Sequence, residues 1–241
     1  MSGQPAFNLM KWRGRPVEAV LFDLDGTLLD TAADIAEALN RALAERGWPP
    51  IAPSQVRRMI GRGSPMLIER AAACQSRVLD EAGKAAMLER FFHHYGYLEE
   101  SGEFKAEPYV GAAECLRALH AAGLRIAVVT NKHERFATGL LKALALSDWV
   151  DCVVGGDSCP RRKPDPAPLL FACAQLGADP ARALMVGDST NDVQAARAAS
   201  IPVICVPYGY NEGEDPRLLP CDAFVESLAD LPGLLRGGKP T

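Results

Sequence analysis

Long apolar runs are missing from this sequence. The longest uninterrupted apolar stretches are four to six residues, against the roughly 18 that a membrane helix needs. No membrane is therefore expected as a partner. An excess of positive charge is missing too: 26 Lys and Arg face 30 Asp and Glu, a formal net charge of −4. That argues against a nucleic-acid binder working by bulk electrostatics. Paired cysteine motifs are absent. The seven cysteines are odd in number and none forms a CxxC pair, so neither a disulfide framework nor a zinc site is expected, and the thiols suit a reducing cytoplasm. There is no internal repeat and no low-complexity tract. The opening MSGQPAFNLMKWRGRP lacks the apolar stretch and cleavage site of a signal peptide. Residues 1–16 read as a flexible leader. What remains is 48% hydrophobic and 23% charged over 241 residues, enough to bury a core and too apolar for disorder along the whole chain.

Short apolar segments alternate with helical patterns. Residues 17–22 form a nearly continuous apolar run that ends in Asp23-Leu24-Asp25-Gly26-Thr27, as a strand buried on both faces does. Further strands are expected at 125–129, 150–154, 183–186 and 203–206. Helices are expected at 112–122, 134–146, 166–176 and 190–199. Such alternation implies parallel βαβ units with right-handed crossovers. Residues 31–102 differ: they read as four helices without a strand signal. The fold class is therefore α/β, with a core at 17–30 and 103–241 and a helical insert at 31–102. Residues 236–241 are expected to fray.

In an open α/β sheet, ligands bind at the carboxyl ends of the strands. Asp23 and Asp25 follow the first strand, Thr130, Asn131 and Lys132 the second. Lys163 lies in the loop after the third, and Asp188 and Asp192 follow the fourth. The fold would gather three or four carboxylates beside one or two lysines. Oxygen-rich acidic clusters suit Mg²⁺, which keeps water and phosphate oxygens among its ligands. Such a site can hold a phosphoryl group and stabilise its transfer. Asp23 could attack phosphorus as a carboxylate. Asp25 could protonate the leaving oxygen and then deprotonate water.

These residues also carry a resemblance. Asp23-Leu24-Asp25-Gly26-Thr27-Leu28-Leu29-Asp30, Val128-Val129-Thr130-Asn131-Lys132, Lys163-Pro164-Asp165-Pro166 and Gly187-Asp188-Ser189-Thr190-Asn191-Asp192 resemble, in order, the four motifs of the haloacid dehalogenase-like hydrolases. The resemblance spans about residues 17–235. It implies a Rossmann-like parallel sheet with helices on both faces and an all-helical cap at 31–102 that closes over the site. It implies Asp23 as nucleophile and metal ligand, and Asp25 as acid/base and a ligand through its carbonyl. Thr130 and Asn131 would bind the phosphoryl group, and Lys163 would steady nucleophile and phosphate. Asp188 would be a metal ligand, and Asp192 a ligand through water or a support for one. Asp192 could instead only charge the first turn of its helix.

Members that cleave carbon–halogen bonds lack an acid at the position of Asp25, so dehalogenation is disfavoured. Phosphonate cleavage would need a Schiff-base lysine in the cap. The sole cap lysine, Lys84, reads as a solvated face. The segments around residues 163–170, 192–199 and 203–211 resemble bacterial phosphoglycolate phosphatases. The expectation is Mg²⁺-dependent hydrolysis of a small phosphorylated metabolite, 2-phosphoglycolate by resemblance, in the cytoplasm by a monomer or homodimer. The alternatives are a phosphosugar mutase, a phosphatase for another metabolite, or a catalytically silent binding module on the same fold. Arg62, between Gly61 and Gly63, could grip a substrate carboxylate or be an exposed loop arginine. His93 and His94 point to different helix faces and read as packing rather than a metal pair. Tyr208, Tyr210 and Asn211 either line the cleft or pack a loop.

Overall fold

The computed structural model describes residues 10–238. Of the flexible leader expected at residues 1–16, residues 1–9 lie outside the described residues, and residues 10–16 are packed on the core. Strands β1 (Lys11–Trp12) and β2 (Arg15–Pro16) form an antiparallel hairpin. Arg13 and Gly14 both have positive φ (48° and 81°), the geometry of the tightest hairpin turns. Met10 and Trp12 are buried in the main core. Two large apolar side chains tie the segment down, a signal outweighed in the sequence by Gly, Gln and Arg nearby.

Strand β3 (Ala19–Phe22) follows, then the short β4 (Leu29–Asp30). The insert comes next, as α1 (Ala32–Glu45), α2 (Pro53–Arg57), α3 (Ser64–Cys74) and α4 (Glu81–Ser101). β5 (Glu107–Pro108) pairs antiparallel with β4, so the strands entering and leaving the insert lie side by side. The remainder alternates: α5 (Ala112–Ala121), β6 (Arg125–Val129), α6 (Glu134–Ala143), β7 (Cys152–Val154), α7 (Ala167–Leu176), β8 (Ala183–Gly187), α8 (Thr190–Ala198), β9 (Val203–Cys205), β10 (Ala223–Phe224) and α9 (Leu231–Leu235). The strand expected at 150–154 begins later, after a 3-10 turn at Ser147–Trp149. The edge strand β10 carries no apolar run and was not expected.

The main sheet has six strands in the order β10-β9-β8-β3-β6-β7, every pair parallel. β3 sits in the middle with all four residues buried. Its side chains alternate between two layers, as the two-residue period of a strand requires. Val20 and Phe22 join α5, α6 and α9 on one face; Ala19 and Leu21 join α7 and α8 on the other. Helices on both faces explain why the strands are apolar throughout. The insert has its own core, in which Ile35, Leu39 and Leu43 of α1 meet Phe91, Tyr95 and Leu98 of α4 and Leu67 and Ile68 of α3. Phe136 of α6 and Tyr210 from the loop after β9 join that cluster, so the insert is packed against the core.

Candidate active site

The central strand ends in a turn that folds onto its neighbour. Asp23 N–H donates to Val186 O of β8 (2.9 Å), and three amides at Thr27, Leu28 and Leu29 point at Leu24 O. Gly26 has φ +91°, and a Cβ there would lie 2.4 Å from Asp188 Oδ2. Only glycine lets the turn approach Asp188 so closely.

Three carboxylates from β3, β8 and α8 meet at this edge. One oxygen each of Asp23, Asp188 and Asp192 lies within 4.8 Å of the others. Lys163 Nζ lies among them, 2.9 Å from Asp23 Oδ1, 2.7 Å from Asp192 Oδ1 and 2.6 Å from Val129 O. All three of its N–H donors are thereby used. Burial disfavours its charge, but Asp192 and Asp23 outweigh burial and hold its pKa above the ordinary lysine value. Burial raises the Asp23 pKa well above the usual carboxylate range, Lys163 opposes it, and Asp192 and Asp188 add to it. Asp188 is pushed up to about 7, first by burial and then by Asp192. Three buried carboxylates thus share one ammonium.

The carboxylates differ in what they leave free. Asp192 is the most heavily bonded: Oδ1 accepts from Lys163, and Oδ2 from Asp188 N, Ser189 N and Ser189 Oγ. It closes a capping box with Ser189 at the start of α8. Asp188 accepts one bond at each oxygen, from Thr27 Oγ1 (2.8 Å) and Tyr210 N (2.7 Å), and keeps lone pairs. Asp23 Oδ1 accepts from Leu24 N (2.8 Å) and Lys163. No donor among the described residues reaches Asp23 Oδ2. Excess negative charge with open carboxylate oxygens at Asp23 and Asp188 fits a divalent cation.

Asp25 belongs to a separate pair. Its Oδ1 accepts from Thr31 Oγ1 (2.6 Å) and from Lys132 Nζ (3.1 Å). Lys132 is buried; Asp25 and Tyr95 outweigh the burial and hold its pKa above the ordinary value. The sequence places Lys132 at the sheet edge but does not pair it with Asp25, and offers Thr31 only as a helix cap. The hint was position alone, since Lys132 follows Thr130-Asn131. Thr130 Oγ1 accepts from Lys132 N (3.2 Å). Asn131 Nδ2 donates to Gly61 O and to Lys163 O, 2.9 Å each, and joins the insert to the loop of Lys163.

A cavity of about 540 Å³, counting the open space at its mouth, separates Asp23 and Asp25 from the insert. Thr130, Asn131 and Lys132 form its floor with the two aspartates; Ile35, Ile60, Leu67 and Phe91 are part of the far wall. Gly61 and Gly63 line it, but Arg62 between them does not. The structure instead places Arg62 Nε 2.9 Å from Glu212 Oε1, with the side chain 53% exposed. Glu212 also takes Arg70 of α3 and Asn191 of α8. The expected grip on substrate is thus replaced by a bond between insert and core. The Glu212 carboxylate holds Arg62 on the side away from the cavity.

Tyr208, Tyr210 and Asn211 do not line the cavity either. Tyr208 Oη donates to Thr27 O (3.0 Å), and Asn211 Oδ1 caps α8 at Thr190 N (3.0 Å). Tyr210 Oη accepts from Thr31 N (2.8 Å) and Ala32 N (3.1 Å) and donates to Asp30 Oδ1 (2.7 Å). Lys84 pairs with Glu69 and Glu81 at 2.9 Å each, and His94 with Glu45 at 2.8 Å, all away from the cavity.

Comparison with known proteins agrees with this geometry. The sequence profile of the haloacid dehalogenase-like hydrolase family matches residues 20–206. The chain belongs to this family. It is 46% identical over 222 residues to a phosphoglycolate phosphatase of Nitrosospira multiformis, across 92% of this chain and 96% of that one. A phosphoglycolate phosphatase of Thiobacillus denitrificans is 44% identical over 89% of this chain and 94% of its own. Among solved structures, a predicted phosphoglycolate phosphatase from Haemophilus somnus superposes with a TM-score of 0.84 at 32% identity, over 90% of this chain and 97% of that one. The parallel six-stranded sheet with flanking helices is therefore the family fold, and the haloacid dehalogenase-like hydrolase is an enzyme of the phosphoglycolate phosphatase type. No helix among the described residues is long and apolar enough to cross a membrane.

Proposed function

We propose that this hydrolase removes the phosphoryl group from 2-phosphoglycolate, through a phosphorylated Asp23 and with Mg²⁺ bound. One observation carries the reading: Asp23 has one oxygen pinned by Leu24 N–H and Lys163, and the other meets no protein donor on the cavity floor. A fixed carboxylate with one open oxygen is what attack on phosphorus requires. Asp23 Oδ2 forms the new P–O bond as the ester P–O bond breaks. Asp25, carrying a proton at that moment, gives it to the departing glycolate oxygen. Water then attacks phosphorus, Asp25 takes its proton, and the Asp23–P bond breaks to release phosphate. The Thr130 hydroxyl and the Asn131 backbone amide hold the phosphoryl oxygens, and Lys163, its donors taken by the protein, contributes its positive charge.

Asp23, Asp188 and the Asp25 carbonyl are the residues that would hold Mg²⁺. The metal would supply positive charge against the transferring phosphoryl group. Asp192 holds Lys163 and the start of α8 and would support the metal through water, Oδ1 having only the Lys163 bond. Residues 31–102 act as a cap that excludes water from the cavity. The substrate assignment draws on the relatives' names. This favours a phosphatase over a mutase.

The test is phosphate release from 2-phosphoglycolate, phosphosugars and nucleotides, with Mg²⁺ and with chelator. Preference for 2-phosphoglycolate by about a hundredfold, some 2.7 kcal/mol of transition-state binding, is expected, with loss under chelation and in Asp23→Asn. Turnover retained in Asp23→Asn would overturn the nucleophile assignment. A flat substrate profile would remove the glycolate assignment.

A further inference from the structure

The apolar cavity wall has two polar interruptions that the phosphoryl chemistry does not use. Lys132 Nζ has one acceptor among the described residues, Asp25 Oδ1 at 3.1 Å, although an ammonium has three N–H donors. It also lies over the Tyr95 ring, 4.5 Å from the centroid. The Tyr95 hydroxyl is buried and finds no hydrogen-bond partner. Both residues line the cavity that holds Asp23. A buried ammonium and a buried phenol with unused donors, beside Ile35, Leu67, Phe91 and Phe136, form a place prepared for an anion.

We infer that Lys132 and Tyr95 seat the carboxylate of the substrate, the end of the molecule that is not transferred. This inference rests on the phosphatase reading above and deepens it. With the phosphoryl group over Asp23, a two-carbon acid places its carboxylate against the opposite part of the same cavity. The Lys132 ammonium supplies charge, and the Tyr95 hydroxyl donates a hydrogen bond. An ester with a neutral tail leaves both donors unpaired in an apolar wall. Rejection of such an ester is therefore built into the site. Arg62, bound to Glu212 outside the cavity, is not needed for it.

The experiment compares 2-phosphoglycolate with 2-hydroxyethyl phosphate, a tail of nearly the same size without the charge. The readout is the ratio of their kcat/KM values in the wild type, Lys132→Gln and Tyr95→Phe. The wild type should favour the acid by about a hundredfold, the scale at which a site rejects a ligand that leaves its polar groups unpaired. Lys132→Gln should bring the ratio to within about threefold, and Tyr95→Phe should lower it several-fold. Lys132 also holds Asp25, so its loss slows both esters. A purely structural role slows them equally and leaves the ratio unchanged, which would overturn the proposal. Tyr95→Phe keeps the packing and tests the seat even if Lys132→Gln fails to fold. A wild type that hydrolyses both esters equally well overturns the seat and leaves the phosphatase standing. A wild type that hydrolyses neither overturns both.

Discussion

Glu212 is the residue whose removal should loosen the cap. Its two oxygens bind Arg62 (2.9 Å) and Arg70 of the cap, and Asn191 of the core lies 3.3 Å from Oε1. Among these contacts the two ion pairs cross from cap to core. The arginines are unequal: the Arg62 side chain is 53% exposed, that of Arg70 25% and that of Glu212 21%. The Arg62 pair is worth a few tenths of a kcal/mol in water and salt. The better covered Arg70 pair is worth about 1 kcal/mol. Together they favour the packing of insert against core by roughly 1–1.5 kcal/mol, a 5- to 13-fold shift in any equilibrium that separates the two. Glu212→Gln keeps the size and the left-handed backbone at this position (φ 54°) and removes the charge. In steady-state kinetics kcat/KM should fall by up to that factor. The wild type should lose the same advantage at about 1 M salt, where charges are screened within about 3 Å, while the variant should be insensitive. Arg70→Ala should cost more than Arg62→Ala, in the order of burial. An unchanged kcat/KM and salt profile in Glu212→Gln would refute the latch. A reversed order would return Arg62 to the substrate.

Three further outcomes follow from the same geometry. Lys163→Met removes the ammonium shared by Asp23 and Asp192; urea denaturation without metal should show about 3–5 kcal/mol lost, less with Mg²⁺ present, and phosphate release should vanish. In metal-free protein the Asp188 pKa stands near 7, above its unfolded value of about 4. The folded state then holds the proton more tightly, so this contribution to stability is present below about pH 4 and lost as pH rises to about 7. Thermal melts in chelator should show that decline, and Asp188→Asn should flatten it; equal slopes in the two proteins would contradict the assignment. Tyr210→Phe strands the buried Thr31 amide and takes one bond each from Ala32 N and Asp30, which keep each other and Arg57, at a cost of about 1–3 kcal/mol by denaturation.

The core motifs were legible because each sits directly after an apolar strand. The runs ending at Phe22, Val129 and Gly187 announce buried parallel strands, and in such sheets polar residues past the strand end meet at one edge. Asp23, Thr130, Lys163 and Asp188 were therefore found from local pattern plus topology. The two-strand junction at β4 and β5 left no trace, since two residues carry no periodicity. Residues 10–16 were misjudged because the burial of Met10 and Trp12 depends on helices far along the chain. Arg62 was placed by its glycine neighbours, but its direction is set by Glu212, 150 residues away. Tyr95 has no motif around it to mark it. Its unpaired hydroxyl appears only when α4 lies over the cavity.

The sequence by itself determined the sheet, the helical insert and which polar strand ends meet at one edge, because alternation of apolar runs and the order of polar strand ends are local properties of the chain. The tertiary structure alone decided the partnerships. Asp192 is spent on Lys163 and the α8 cap, Lys132 turns to Asp25 and Tyr95, and Arg62 turns away to Glu212. The Lys163–Asp192 and Lys132–Asp25 pairs are buried, where Coulomb energy is strong enough to choose between rotamers. Their members lie 29 and 107 residues apart, beyond any local window.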